Sequence, residues 1–192
     1  MYTVDAINSR RVSYYYGTFK TYYYHLMNTL WTGTTGIDCV FPGVYISDLR
    51  MSLCEAELDR VGITHIITAV IGVYPAYPDK YTYITIPLLD NEHEDILSQF
   101  DISNAFISNA LAGPAQSTSN NKVLIHCMVG ASRSATIAAA YIIKETGVSP
   151  EITVECMQKN RAVIKPNESF MRSLDIYYAG LDYSAEFDKN EI

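Results

Sequence analysis

The chain has 192 residues, 48% of them hydrophobic and 18% charged, which suits one domain with its own core and excludes wholesale disorder. Its 14 basic and 21 acidic residues give a net charge of −7, which argues against sequence-independent binding to nucleic acid, because that needs a broad basic face. Cys39, Cys54, Cys127 and Cys156 show no C-x-x-C spacing, and neither a secretory h-region nor a membrane-length apolar run is present, so the reading is free thiols in a reducing compartment, cytoplasmic or nuclear, with no membrane partner and no zinc.

Residues 1–36 differ from the rest. They carry Arg10, Arg11 and Lys20 against Asp5 alone, and hold seven of the 16 tyrosines. Phe19, Tyr22, Tyr23, Leu26 and Leu30 recur at helical spacing, which predicts a short amphipathic helix over Phe19–Trp31. This is read as an arm, with a second domain over 37–192. Tyrosine rings bury large area at small entropic cost, so the arm favours contact. Packing on its own domain, pairing with a second chain as a homodimer, and acting as a mobile docking arm or kinase target all remain open.

Gly43–Leu49 predicts a strand, followed by a helix over Leu53–Arg60 capped by Ser52 and closed by Gly62. Ile63–Val70, β-branched and apolar, predicts a central strand, and Tyr81–Ile86 another. Pro87 ends that strand. An acidic loop follows, then a helix from about Asp95 to Leu111 and a polar loop over 113–121. Lys122–His126 is a short buried strand that runs into a helix over Ser134–Thr146 closed by Gly147. Ser149-Pro150 opens one more helix, and Asn167 caps the last, which ends at Gly180. Strands alternating with helices predict an α/β fold: a single central mixed, mainly parallel sheet flanked by helices.

The chemistry concentrates in His126-Cys127-Met128-Val129-Gly130-Ala131-Ser132-Arg133-Ser134, between that buried strand and the helix after it. Gly130 and small side chains let successive backbone N–H groups turn inward around an anion. The helix N-terminus adds partial positive charge at the same point. Arg133 supplies a planar fork suited to two phosphate oxygens. A thiol at Cys127 in that field ionises more readily than usual and becomes a nucleophile toward phosphorus. From spacing alone Asp90, Glu92, Glu94 and Asp95 compete as proton donor, with Asp95 also suited to a helix cap.

HCMVGASRS resembles the H-C-x-x-G-x-x-R-[ST] signature of cysteine-dependent protein tyrosine phosphatases, within them the dual-specificity group of small, poxvirus-type members. Val40–Leu49, Ile63–Ala69, Ile86–Ile96 and Arg161–Phe170 resemble further family segments, so the resemblance spans about residues 38–180. It implies that Cys127 forms a phosphocysteine, that Arg133 binds the phosphate, and that Asp90 is the general acid and then activates water. It further implies that Ser134 eases departure of the sulfur and that His126 orients the loop and helps keep the thiolate charged. Met128, Val129, Gly130, Ala131, Ser132 and Arg133 would line the substrate site. No metal or other cofactor is implied.

The expected substrates are phosphoproteins, dephosphorylated at phosphotyrosine and at phosphoserine or phosphothreonine. None of Met128, Val129, Ala131 and Ser132 is basic, which disfavours a phosphoinositide, whereas related lipid phosphatases carry lysines there. An RNA 5′-triphosphatase using the same loop, a sulfurtransferase and a non-catalytic phosphopeptide-binding module are the alternatives. Cys39, Cys54 and Cys156 read as structural thiols, with an oxidative disulfide between one of them and Cys127 as a secondary idea. His65 reads as a core histidine, His93 as a surface one, and Asn167 as a cap that also braces the phosphate loop.

Overall fold

The computed structural model describes residues 36–112 and 121–181. The tyrosine-rich arm with its predicted helix, any pairing through it, and most of the predicted polar loop lie outside the described residues.

The chain opens with an antiparallel hairpin, β1 (Asp38–Phe41) and β2 (Val44–Ser47), turned at Pro42-Gly43. The strand expected over Gly43–Leu49 is β2, and β1 is an addition to the sequence reading. Next come two short helices, α1 (Leu49–Ser52) and α2 (Glu55–Val61), where a single helix capped by Ser52 was predicted. Asp48 caps α1, its Oδ1 accepting from the Met51 N–H at 2.8 Å, while Ser52 Oγ donates back to the Leu49 carbonyl; α2 starts after Cys54, which makes no side-chain cap bond. Gly62 ends α2 with φ of 81°, as expected of a left-handed cap.

β3 (His65–Thr68) and β4 (Thr82–Thr85) follow, then a 3₁₀ turn over Leu97–Gln99 and α3 (Phe100–Ala112). Asp95 Oδ1 accepts from the Ser98 N–H and so starts that turn. β5 (Val123–His126) leads into α4 (Arg133–Thr146), which Gly147 closes in the left-handed conformation. α5 (Pro150–Gln158) and α6 (Glu168–Gly180) complete the fold. Asn167 caps α6 through its Oδ1, as predicted, but Ser149 makes no side-chain cap bond at α5.

The sheet order is β1-β2-β5-β3-β4, antiparallel at β1 and parallel elsewhere, which is the mixed, mainly parallel sheet that was expected. β5 lies at its centre with all four residues buried, because it has a strand on each side and packed layers on both faces. Alternate side chains divide between two cores. Ile46, Ile67 and Ile125 join α3, α4 and α6 in the larger, while Ile66 and Leu124 meet Leu58 and Tyr81 in the smaller. Each fully buried Ile or Leu contributes on the order of 1.5–3 kcal/mol relative to exposure. α4 is buried from Arg133 through Ile143, and its Ala138–Ala140 run lets the helix pass close to the sheet between α3, α5 and α6. His65 is half-buried rather than a core residue, with Nδ1 against Thr64 Oγ1 and its ring edge-on to Phe106.

Candidate active site

Ser47, His126 and Thr68 are level with one another across β2, β5 and β3, so three parallel strands end together. Ligand sites in such sheets lie outside these carboxyl ends. Residues 127–132 form the loop there, and α4 starts at Arg133.

Four consecutive carbonyls of the loop are held from outside. Met128 O accepts from Leu49 N at 3.2 Å and Ala131 O from Lys165 N at 2.8 Å. Val129 O accepts from Arg161 Nη2 at 3.0 Å and Gly130 O from Arg161 Nε at 2.8 Å. A trans peptide plane sets each C=O opposite the next N–H. Carbonyls pinned outward therefore turn the N–H groups of Val129, Gly130, Ala131 and Ser132 inward. One of these is already in use: Gly130 N–H donates to Cys127 Sγ at 3.2 Å.

Cys127 is 1% exposed. Burial alone would push its thiol up. The Ser134 hydroxyl at 3.3 Å, the Ser134 N–H, the Arg133 charge and the Gly130 N–H together outweigh burial, and the thiol is held below its ordinary range. His126 lies beneath, with Nε2 against Thr68 Oγ1 at 2.9 Å. Burial pushes its ring down to about 4, so the imidazole is neutral at pH 7.

Asp90 sits over the loop. Its Oδ1 accepts from Ser132 Oγ at 2.8 Å and from Asn167 Nδ2 at 3.0 Å, and its Oδ2 lies 3.5 Å from Arg133 Nε. Arg133 Nη1 also donates to the Leu88 carbonyl at 3.2 Å. Acid loop and phosphate loop thus fix each other. Of the four carboxylates weighed, Asp95 caps the 3₁₀ turn, and Glu94 Oε2 accepts from the Leu89 N–H. Glu92 is an exposed residue whose carbonyl accepts from Ser169.

A family model described as "Dual specificity phosphatase, catalytic domain" matches residues 44–179. The chain belongs to the dual-specificity phosphatases. Arabidopsis thaliana dual specificity protein phosphatase 1 is 30% identical over 145 residues, covering 76% of this chain and 70% of that protein. Human dual specificity protein phosphatase 26 is 32% identical over 159 residues, 79% of this chain and 72% of the relative. A probable dual specificity protein phosphatase of Dictyostelium discoideum is 34% identical over 138 residues, 72% of this chain but only 33% of that longer protein. Among solved structures, the human tyrosine phosphatase-like serine/threonine/tyrosine-interacting protein superposes with a TM-score of 0.70 at 27% identity, over 76% of this chain and 97% of that one.

Within this phosphatase domain His126, Ser132 and Arg161 take places that spacing alone did not specify. A neutral His126 supplies no positive charge to the thiolate; it is tied to Thr68 through Nε2 and to the Cys127 backbone, so it acts on the sulfur by positioning. Ser132 meets the cradle through its inward N–H, while its hydroxyl is committed to Asp90 and its side chain is buried. Met128, Val129 and Ala131 are half-buried, as residues of an open mouth are. Arg161 was missed as a site residue: it is 4% exposed and grips two loop carbonyls, yet no local spacing ties it to the loop. The R…PN…F segment was the available signal.

Gly130 has φ of 70°, and a Cβ there would lie 2.5 Å from the Ser47 carbonyl oxygen and 2.7 Å from Arg161 Nη2. Backbone cannot give way as a side-chain tip can. Gly130→Ala is therefore expected to lower turnover of an aryl phosphate about 100-fold and to weaken inhibition by orthovanadate, read from paired rate and Ki measurements.

Proposed function

We propose that this phosphatase hydrolyses phosphate monoesters on phosphotyrosine and on phosphoserine or phosphothreonine of proteins, through a phosphocysteine on Cys127. The observation that carries the reading is the Cys127 sulfur, 3.2 Å from the Gly130 N–H and 3.3 Å from Ser134 Oγ, inside a ring of inward-turned amides.

Cys127 Sγ attacks phosphorus in line and the ester P–O bond breaks. Amides of residues 129–132 and the Arg133 fork hold the three equatorial oxygens as charge develops. Asp90 gives its proton to the departing oxygen. Water then attacks phosphorus as Asp90 takes a proton from it, the P–S bond breaks, and Ser134 Oγ stabilises the leaving thiolate. Because the sulfur must be reduced, the reading places the protein in a reducing compartment, cytoplasmic or nuclear. Among the described residues no helix is long and apolar enough to cross a membrane.

The apolar and small residues Met128, Val129 and Ala131 at the mouth support phosphoprotein over phosphoinositide. The test assays phosphotyrosine and phosphothreonine peptides, a phosphoinositide and triphosphorylated RNA side by side. Release from both peptides is expected; preferential release from the lipid or the RNA overturns the substrate assignment. Asp90→Asn in the same assay is expected to lower peptide turnover about 100-fold and to abolish the alkaline fall of the rate–pH profile. An unchanged profile moves the acid elsewhere.

A further inference from the structure

We propose that Glu94 is a positioning residue for the general acid: its carboxylate holds the Leu89 N–H and so fixes the peptide plane from which the chain runs on to Asp90. The inference rests on the reading of Asp90 as proton donor to the leaving oxygen.

The acid loop has little apolar anchorage of its own. Leu88 is 2% exposed and Ile96 fully buried, but residues 89–93 between them are all exposed. Without packing, polar ties set the course of such a segment. Ser169 Oγ donates to the Glu92 carbonyl at 2.9 Å, and Asn91 Oδ1 accepts from the His93 N–H at 2.9 Å. Ser132 and Asn167 hold the Asp90 carboxylate itself. None of these reaches the backbone just before Asp90.

Glu94 does. The peptide unit of residues 88 and 89 is held at both ends. Its carbonyl accepts from Arg133 Nη1 at 3.2 Å and from the Ile71 N–H at 3.3 Å. Its N–H donates to Glu94 Oε2 at 2.8 Å. A planar peptide gripped only at oxygen can still pivot about that atom, and the second grip stops the pivot. Asp90 begins one residue farther on, so a tilt of this plane carries its carboxyl across the mouth.

The far end of the tie is firm. The Glu94 carbonyl accepts from the Ile96 N–H at 3.1 Å, and Asp95 starts the 3₁₀ turn directly after it. From that base the half-buried Glu94 reaches back over the loop and closes residues 89–94 into a ring. A carboxylate accepting from a backbone N–H makes a charge-assisted bond, stronger than a neutral pair.

Phenyl phosphate and p-nitrophenyl phosphate separate this role from a general structural one. Phenol needs a proton as it departs, whereas p-nitrophenolate leaves with far less help. The ratio kcat/KM covers only the steps through that departure, before water attacks. Glu94→Ala is expected to lower kcat/KM fivefold or more for phenyl phosphate and less than twofold for p-nitrophenyl phosphate. Glu94→Gln keeps an oxygen that accepts from the Leu89 N–H, and should stay within twofold of wild type on both esters. Cys127 alkylation should follow the wild-type pH profile in both variants.

A smaller loss on phenyl phosphate, equal losses on the two esters, or a displaced alkylation profile overturns the proposal. A loss in Glu94→Gln as large as in Glu94→Ala also overturns it, since the charge rather than the tie would then carry the effect. Asp90→Asn, run alongside, should show the same split between esters more strongly. If Asp90→Asn shows the split and Glu94→Ala does not, only the role of Glu94 falls. If Asp90→Asn shows none, Asp90 is not the acid and both assignments fall together.

Discussion

Cys127→Ser is expected to remove about four orders of magnitude or more of aryl phosphate turnover while phosphopeptide binding survives. A serine hydroxyl ionises far above neutral pH, and the cradle's few donors cannot bridge that gap. No neighbour acts as a base to rescue it: His126 is neutral, but its Nε2 is directed to Thr68 Oγ1 rather than to residue 127. Binding is a separate matter. The inward amides and Arg133 do not depend on sulfur, and replacing a thiolate by a neutral hydroxyl removes repulsion toward a phosphate dianion. Affinity measured by calorimetry should therefore hold or tighten. Retention of even a tenth of the wild-type rate would mean that another group attacks phosphorus.

The same assignment gives a pH dependence with a definite sign. The Cys127 thiol is held below its ordinary range, so the reactive thiolate persists to lower pH than in a free cysteine and is lost as pH falls through that lowered value. Alkylation of wild-type protein should set in below the ordinary thiol range near about 8.5. Losing the Ser134 hydroxyl in Ser134→Ala moves the onset upward, because burial then goes less opposed.

The sequence exposed the reactive loop because its parts are contiguous. Cys127, Gly130, Arg133 and Ser134 act within one strand–loop–helix turn, so spacing and chemistry coincide. The parallel core was equally legible, since β5 runs Val-Leu-Ile before His126 and Gly62 and Gly147 stop their helices by left-handed backbone that glycine tolerates best. What escaped was mostly tertiary. The Arg161 fork reaches the loop from 31 residues away in sequence, from Gly130, and the R…PN…F segment marks the residue without showing what it grips. The tie between Ser132 and Asp90 also escaped, because only the folded chain brings that carboxylate to the hydroxyl. The charge state of His126 follows from complete burial, which a four-residue strand does not reveal. The hairpin was half legible: the strand expected from Gly43 is β2, whereas β1 is four residues long with no buried member to mark it. The start of α2 was set two residues early, because Ser52 suits a cap by type but Cys54 holds that position without a side-chain bond.

The second large effect separates two contributions of Arg133 that charge alone would merge. Its guanidinium lowers the Cys127 thiol as a nearby cation, and it also offers a planar fork to two phosphate oxygens. The fork is aimed beforehand by the Leu88 carbonyl at 3.2 Å and by Asp90 Oδ2 at 3.5 Å from Nε. Arg133→Lys keeps a positive charge in the site but loses the paired donors. Turnover should fall by about 10²–10³-fold, the scale found for loss of one preorganised transition-state donor, with a smaller rise in KM, while the alkylation profile of Cys127 stays close to wild type. Arg133→Ala removes both contributions, so its rate should fall further and its alkylation onset should move to higher pH. If lysine and alanine shift the thiol equally, the cation does not set the sulfur's charge and the amides and Ser134 carry it. If lysine restores the rate to within tenfold of arginine, the phosphoryl oxygens are held by charge rather than by the fork, and the geometry at Leu88 and Asp90 serves another end.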